Sequence, residues 1–301
     1  MSGGSIRAAN GTLSIFSSGP AQDLLQAKAV LEAMSDPLYH IPGGISMGSI
    51  AKMCHQHQAA TNIIMASEAM GFAAAAGLNT TAVFEATRDR DGKSRKGWSW
   101  MFENRAPHML ENDWLTVHSA VSIILKDVRI VTAHGDEVGF PLQLANAAQQ
   151  LYIMGAYKGF TKEDDAGLVR LFLGKGAQDA VGRLASEGVV KAKEGITVET
   201  IADVMAGVHL ASTRECLAFA KFVGMDLELL QDIVKRGAGA SEMFEMAAAS
   251  IITDGKITLR AVGDVEHIRD KLKLGLEKAK LMNQPLPMAA AALEQLNFEL
   301  M

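Results

Sequence analysis

The sequence predicts a mainly α protein in which a small α/β unit precedes a helical domain repeated in tandem. Three observations carry this prediction. From Met47 onward apolar residues recur at helical spacing almost without interruption. Before that point, residues 11–41 show strand, helix and strand signals in turn. Finally, segments of the first half reappear in the same order in the second half, at a nearly constant separation.

The elements follow in order. Thr12 to Ser17 reads as a strand, Gly19-Pro20 as a turn, Asp23 to Met34 as a helix and Leu38 to Ile41 as a second strand, broken by Pro42-Gly43-Gly44. About forty residues are too few for a doubly wound sheet, so this unit is expected to be a small sheet packed on the rest. The helical pattern from Ile50 to Ala76 closes at Gly77, a residue type that takes the left-handed C-cap conformation. Thr80 or Thr81 caps the next helix, Val83 to Arg88, and the charged stretch Asp89 to Gly97 reads as a solvated loop. Further helices are predicted at Ser99–Leu110, Ser119–Val138, Pro141–Tyr157 and Lys162–Leu173.

The repeat is visible residue by residue. Asn62 to Glu68 and Gly77-Leu78-Asn79 are echoed by His209 to Glu215 and Gly224-Met225-Asp226, Ser99 to Glu103 by Ser241 to Glu245, and Phe140-Pro141-Leu142 by Gln284-Pro285-Leu286. Small changes in offset put insertions in loops. The expected domains are residues 1–44, 45–178 and 179–301, with the junction around Gly174 to Gly195.

Composition narrows the function classes. Apolar residues make up 49% and charged residues 21%, which suits a folded globular protein, and 16 methionines provide adaptable packing. A net charge of -5 gives no basic field for phosphate backbones, so nucleic acid is excluded as a partner. Cys54 and Cys216 both fall in apolar helical stretches and are read as core residues in a reducing compartment. There is no signal-peptide pattern, and the most apolar run, Asn62 to Leu78, contains Glu68, so a cytoplasmic protein without a membrane partner is expected. His55 and His57 point to different helix faces and no His-Glu-x-x-His or paired-cysteine motif occurs, so no metal is expected. No Gly-x-Gly-x-x-Gly follows a strand, and no Gly-x-x-x-x-Gly-Lys-Ser/Thr occurs.

One constellation carries chemistry. Lys52 lies near a helix N-terminus, where the helix dipole and apolar neighbours Met47, Ile50 and Met53 disfavour its charge, so it can give a proton to a carbonyl oxygen. Gln56, one turn later, shares its face and can bond a substrate hydroxyl or carboxylate, and His55 at i+3 can join them. Lys126 offers a second cationic contact, against the alternative of a surface ion pair. His209 and His267 read as structural.

The run Gly48-Ser49-Ile50-Ala51-Lys52-Met53-Cys54-His55-Gln56, together with Ser2-Gly3-Gly4, Lys126-Asp127 and Ser99 to Leu110, resembles the β-hydroxyacid dehydrogenases, in their 3-hydroxyisobutyrate and L-threonate branch. The resemblance covers residues 2 to about 173 closely, and the second half as a weaker copy of that family's helical C-terminal domain, in a tandem arrangement like that of 6-phosphogluconate dehydrogenase. It implies that residues 1–44 are the end of a Rossmann-like domain whose front is lacking. It also implies that Lys52, Gln56 and Lys126 are catalytic and that Ser2, Gly3 and Gly4 bind the substrate carboxylate, although a place at the start of the chain favours fraying. Counted along the repeat, Val198 and Ala202 stand for Lys52 and Gln56, and Asp270-Lys271 for Lys126-Asp127, so the second copy reads as scaffold. An internal pseudo-dimer follows, with a homodimer left open.

Without a dinucleotide motif, the expected function is cofactor-independent and non-redox. The cleft would bind a small organic molecule between Trp100, Met101 and Phe102, as a cyclase, isomerase or lyase, for example a Diels-Alderase of secondary metabolism. Two alternatives stand beside it. One is a 3-hydroxyacid dehydrogenase-like protein that takes its nucleotide-binding domain from another chain; the other is a non-catalytic scaffold.

Overall fold

The computed structural model describes residues 1–186 and 192–301. A short helix α1 (Gly4–Ala9) leads to strand β1 (Leu13–Ser17), which helix α2 (Ala21–Met34) joins to β2 (Ser35–His40). The strands pair in parallel, a geometry that no tight turn can connect, and α2 is their crossover. The helices that follow are α3 (Met47–Ala76), α4 (Thr80–Arg88), α5 (Trp100–Glu111), α6 (Val121–Val138), α7 (Gln143–Tyr157), α8 (Ala180–Ser186), α9 (Val198–Phe222), α10 (Leu227–Lys235), α11 (Glu242–Asp254), α12 (Val265–Leu281) and α13 (Pro287–Leu300). The protein is mostly helical, and among the described residues no helix is long and apolar enough to cross a membrane.

Two helices, α3 and α9, organise the interior. Helix α3 is buried on all sides from Cys54 to Ala74, and α9 from Thr200 to Thr213, with polar residues such as Gln58, Asn62 and Glu68 enclosed among apolar and small ones. They pack on one another, and the remaining helices surround them. Fully buried Phe72, Phe102, Phe219 and Phe244 each contribute about 1.5–3 kcal/mol of burial to this core.

Contacts across the molecule come in matched pairs. The Glu68 carboxylate accepts the backbone N–H groups of Met288 and Ala289 at the start of α13, both at 2.9 Å. The Glu215 carboxylate accepts those of Leu144 and Ala145 at the start of α7, at 2.9 and 3.0 Å. Each helix start has orphan donors, which a buried carboxyl group from the opposite half satisfies. Trp100 N–H donates to Ala240 C=O at 2.9 Å, and Glu242 N–H to Trp98 C=O at 3.1 Å. Ser99 and Ser241 then cap α5 and α11 through the N–H groups of Phe102 and Phe244. Asn79 and Asp226 likewise cap α4 and α10.

Several local expectations are corrected. Asn79, not Thr80 or Thr81, caps α4; the two threonine hydroxyls instead donate to the carbonyls of Val181 and Ala185. Part of the charged stretch forms a 3-10 turn, Lys93–Gly97, with Ser94 and Gly97 buried. A Cβ on Gly97 would lie 2.9 Å from the Ala202 Cα, so a side chain there would push the turn off α9. The segment expected as a helix at Lys162–Leu173 is 3-10, at Phe160–Lys162 and Asp165–Phe172. The matched caps at Asn79 and Asp226 fix an offset of 147 in this part, which places Glu199 and Asp203, rather than Val198 and Ala202, opposite Lys52 and Gln56. Within the expected junction at 174–195, residues 187–191 lie outside the described residues.

Candidate functional site

The N-terminal unit and the first helices enclose a cleft of about 750 Å³. The approach of β1 to α3 is possible because Gly48 has no side chain: a Cβ there would fall 2.3 Å from the Phe16 carbonyl oxygen. Gly48 N–H donates to Ser18 Oγ at 2.9 Å, which ties the first turn of α3 to the end of β1. Lys52, Gln56 and Asp127 supply polar lining, Lys126 lines the cleft too, and Ile15, Phe16, Leu24, Leu31, Met53 and Ile130 supply apolar lining.

Lys52 is the most perturbed cation of the site. Burial lowers its ammonium to about 8, Asp127 partly offsets this, and Lys126 adds to it. Its Nζ donates to Ser2 Oγ at 3.0 Å. Ser2 is not frayed: its N–H and C=O pair with Ser14 at 2.8 and 3.0 Å, which adds a short antiparallel bridge to β1. Gly3 and Gly4 both adopt positive φ around the start of α1, and neither lines the cleft.

Gln56 Nε2 donates to Asp127 Oδ2 at 2.6 Å, and Lys126 Nζ pairs with Asp127 Oδ1 at 2.8 Å. Asp127 thus joins α3 to α6, and the site needs it as much as the residues chosen from sequence. The Lys-Asp dipeptide on α6 is the signal that could have included it. A carboxylate only accepts hydrogen bonds, so the Gln56 amide turns its NH2 to Asp127 and its Oε1 to His55 Nδ1, 3.0 Å away. His55 therefore carries its proton on Nδ1. Burial, followed by the nearby Lys52 charge, lowers its imidazole to about 3 and keeps it neutral.

The structure separates the expected site residues. Lys52, Gln56 and Lys126 meet at the cleft with Ser2 beside them, whereas His55 is buried behind Gln56, its ring 6.4 Å from that of Phe16. The expected aromatic wall does not form. Trp100 is 42% exposed on the far face of α5, Met101 and Phe102 are core residues, and Phe102 packs on Phe84 with ring centroids 6.1 Å apart. Ser99 caps α5 and fixes its first turn, which turns Met101 and Phe102 to the core and leaves Trp100 outside it. His209 is fully buried and His267 exposed, and neither lines the cleft. Among the described residues no cluster of three or more His, Cys, Asp or Glu is arranged to hold a metal.

The family model described as NAD-binding of NADP-dependent 3-hydroxyisobutyrate dehydrogenase matches residues 46–172 and 194–299. The chain belongs to this family. It is 35% identical over 174 residues to L-threonate dehydrogenase of Escherichia coli K12, covering 58% of this chain and 56% of that protein. It is 36% identical over the same length to L-threonate dehydrogenase of Cupriavidus necator, covering 58% and 57%. The chain therefore spans little more than half the length of these relatives. The crystal structure of 3-hydroxyisobutyrate dehydrogenase from Salmonella typhimurium matches with a TM-score of 0.51 at 34% identity, over 57% of this chain and 58% of that one. Plasmodium falciparum 6-phosphogluconate dehydrogenase matches the fold over 93% of this chain and 62% of its own, with a TM-score of 0.66 at 15% identity.

These similarities overturn the expectation of a cofactor-independent cyclase, isomerase, lyase or Diels-Alderase, since the relatives are named dehydrogenases. The dislodged aromatic wall removes its other support. A nicotinamide dinucleotide, the group implied by the family, does not fit the residues present. Its pyrophosphate needs a glycine-rich turn between a strand and a helix. Here β1 enters α2 through Gly19-Pro20, Pro20 precedes the helix without a side-chain cap, and the sheet among the described residues has two strands.

Proposed function

We propose that this chain forms the substrate side of a hydroxyacid dehydrogenase, with the dinucleotide held by a unit outside these 301 residues, and that its substrate is a small hydroxy acid such as L-threonate or 3-hydroxyisobutyrate. The observation that carries this reading is Lys52: a buried ammonium lowered to about 8, beside Ser2 and the Gln56–Asp127 pair, in a member of this family. A group so poised holds or releases a proton at a substrate hydroxyl or carbonyl oxygen near neutral pH. Ser2 and Lys126 provide further donors for a carboxylate or hydroxyl, and Gln56 keeps one amide hydrogen beyond the one given to Asp127.

The matched contacts across the molecule support a second element of the reading, a tandem duplication with residues 45–178 and 179–301 as its copies. The reciprocal Glu68 and Glu215 caps, the paired Trp100 and Glu242 bonds and the division of the family match into two segments all favour it. One chain then makes the two-fold contact that a dimer would make. Residues 1–44 are the α/β unit that completes the cleft.

Calorimetric titration of the whole chain with each hydroxy acid tests the functional reading. Binding that weakens tenfold or more in Lys52→Met supports it, as loss of a charge-assisted bond implies. Binding should also weaken as pH rises through about 8, where Lys52 gives up its charge. Equal affinity in Lys52→Met would overturn the reading.

A further inference from the structure

Every residue lining the cleft lies within residues 1–130, yet the second half presses directly on the residue behind it. The turn between α10 and α11 contains Gly237 and Gly239. A Cβ on Gly237 would lie 2.4 Å from His55 Nε2, and one on Gly239 would lie 2.9 Å from the Gln58 Cβ and 3.3 Å from the His55 carbonyl oxygen. The turn is held in place by Asn62, whose Nδ2 donates to the Gly239 carbonyl at 3.2 Å. On its other side the His55 ring meets Phe16 of β1. The ring is therefore seated between the N-terminal unit and the second half.

We infer that His55 is a positioning residue through which the Gly237 turn of the second half orients the Gln56 amide, and with it Asp127, at the cleft. The chain of contacts is continuous. Gly237 leaves room for the ring, Nδ1–H fixes Gln56 Oε1, and the opposed Gln56 Nε2 is thereby aimed at Asp127, which also holds Lys126. A neutral ring is needed in one tautomer only, because a ring protonated on Nε2 alone would set two acceptors face to face. The charged groups that act on it, Lys52 of α3 and the terminal amine of Met1, belong to the cleft itself. This inference rests on the proposed substrate site only for its effect on hydroxy acid binding; the relay has its own signature.

That signature is spectroscopic. Long-range ¹H–¹⁵N NMR of the full chain should show His55 neutral with the proton on Nδ1 from pH 5 to 8, and a displaced side-chain amide resonance for Gln56. His55→Leu should move the Gln56 resonance away from its place in the unmodified chain, whereas His55→Asn, whose amide nitrogen can replace Nδ1, should preserve it. Gly237→Ala, made in the other half, should give the same loss as His55→Leu and weaken hydroxy acid binding several-fold. An Nε2–H or protonated His55 in the unmodified chain overturns the inference, which keeps it testable if a variant fails to fold. So does a Gln56 resonance unmoved in folded His55→Leu or Gly237→Ala. If the unmodified chain binds no hydroxy acid but the NMR pattern is as described, the functional reading fails and the relay stands.

Discussion

The first and second helical halves share a set of matched contacts, yet their charges differ at positions 147 or 144 residues apart. In the first half the key positions are Lys52, Gln56, Lys126 and Asp127; in the second they are Glu199, Asp203, Asp270 and Lys271. Glu199 and Asp203 are tied up in an ion pair, whereas Asp270 is exposed. Lys96, from the turn of the first half, reaches across to Asp203 at 2.6 Å and Glu199 at 3.4 Å. The comparison teaches that packing residues and site residues change independently. The Lys96 ion pair occupies Glu199 and Asp203, whereas Lys52 and Gln56, 147 residues earlier, line the cleft.

The two buried carboxylates give the largest break in this comparison. Glu215 accepts not only from α7 but also from His57 Nε2 at 2.8 Å and Gln295 Nε2 at 2.6 Å. Burial alone would lower His57, but the adjacent Cys216 and Glu215 outweigh it and raise the imidazole to about 10. Glu215→Ala strands a buried cation and several donors, and should cost about 3–5 kcal/mol in denaturant unfolding. Among the described residues Glu68 has only the two amides of α13 as partners, so Glu68→Ala should cost less, about 1–3 kcal/mol. Equal losses would show that the two caps carry the same load.

A pH titration of stability sharpens the difference. Burial raises the Glu68 carboxyl from 4.5 to about 8, with the Met288 and Ala289 amides opposing the shift. The folded state then binds the proton more tightly than the unfolded state, so this group's contribution falls as pH rises from about 4.5 towards 8. Glu68→Gln should flatten that part of the stability profile. His57 has the same sign at a higher range: its contribution is complete below 6.5 and is lost as pH rises through about 10.

The smallest expected effects come from surface charge and tight turns. Gly97→Ala and Gly239→Ala both force an added Cβ to within 3 Å of a neighbour across the halves, and should each cost about 1–3 kcal/mol. Glu199→Gln removes a half-exposed ion pair, so its effect on stability should stay within about 0.5 kcal/mol, with hydroxy acid binding unchanged.

Much of this was legible in the sequence where local rules operate. The Gly77 cap, the long apolar helix and the strand–helix–strand unit follow from periodicity and breakers, and the structure places them within a few residues. Lys52 and Gln56 were readable because i and i+4 share a helix face. Trp100, Met101 and Phe102 misled because an aromatic run has the same pattern whether it lines a cavity or a core, and only tertiary packing decides which. The seat of the His55 ring was hidden for a related reason: its neighbours Phe16 and Gly237 are far from it in sequence. Val198 and Ala202 lie one residue short of the register that the echo of Asn62–Glu68 in His209–Glu215 and the matched helix caps both set.

The central claim is that the first half alone holds the hydroxy acid site, and chemical-shift mapping of the full chain with a hydroxy acid tests it most directly. The account predicts perturbations at Lys52, Gln56, Lys126 and Asp127, abolished by Lys52→Met, with Glu199, Asp203, Asp270 and Lys271 unmoved. Perturbations centred on the second set, or a pattern indifferent to Lys52→Met, would contradict it.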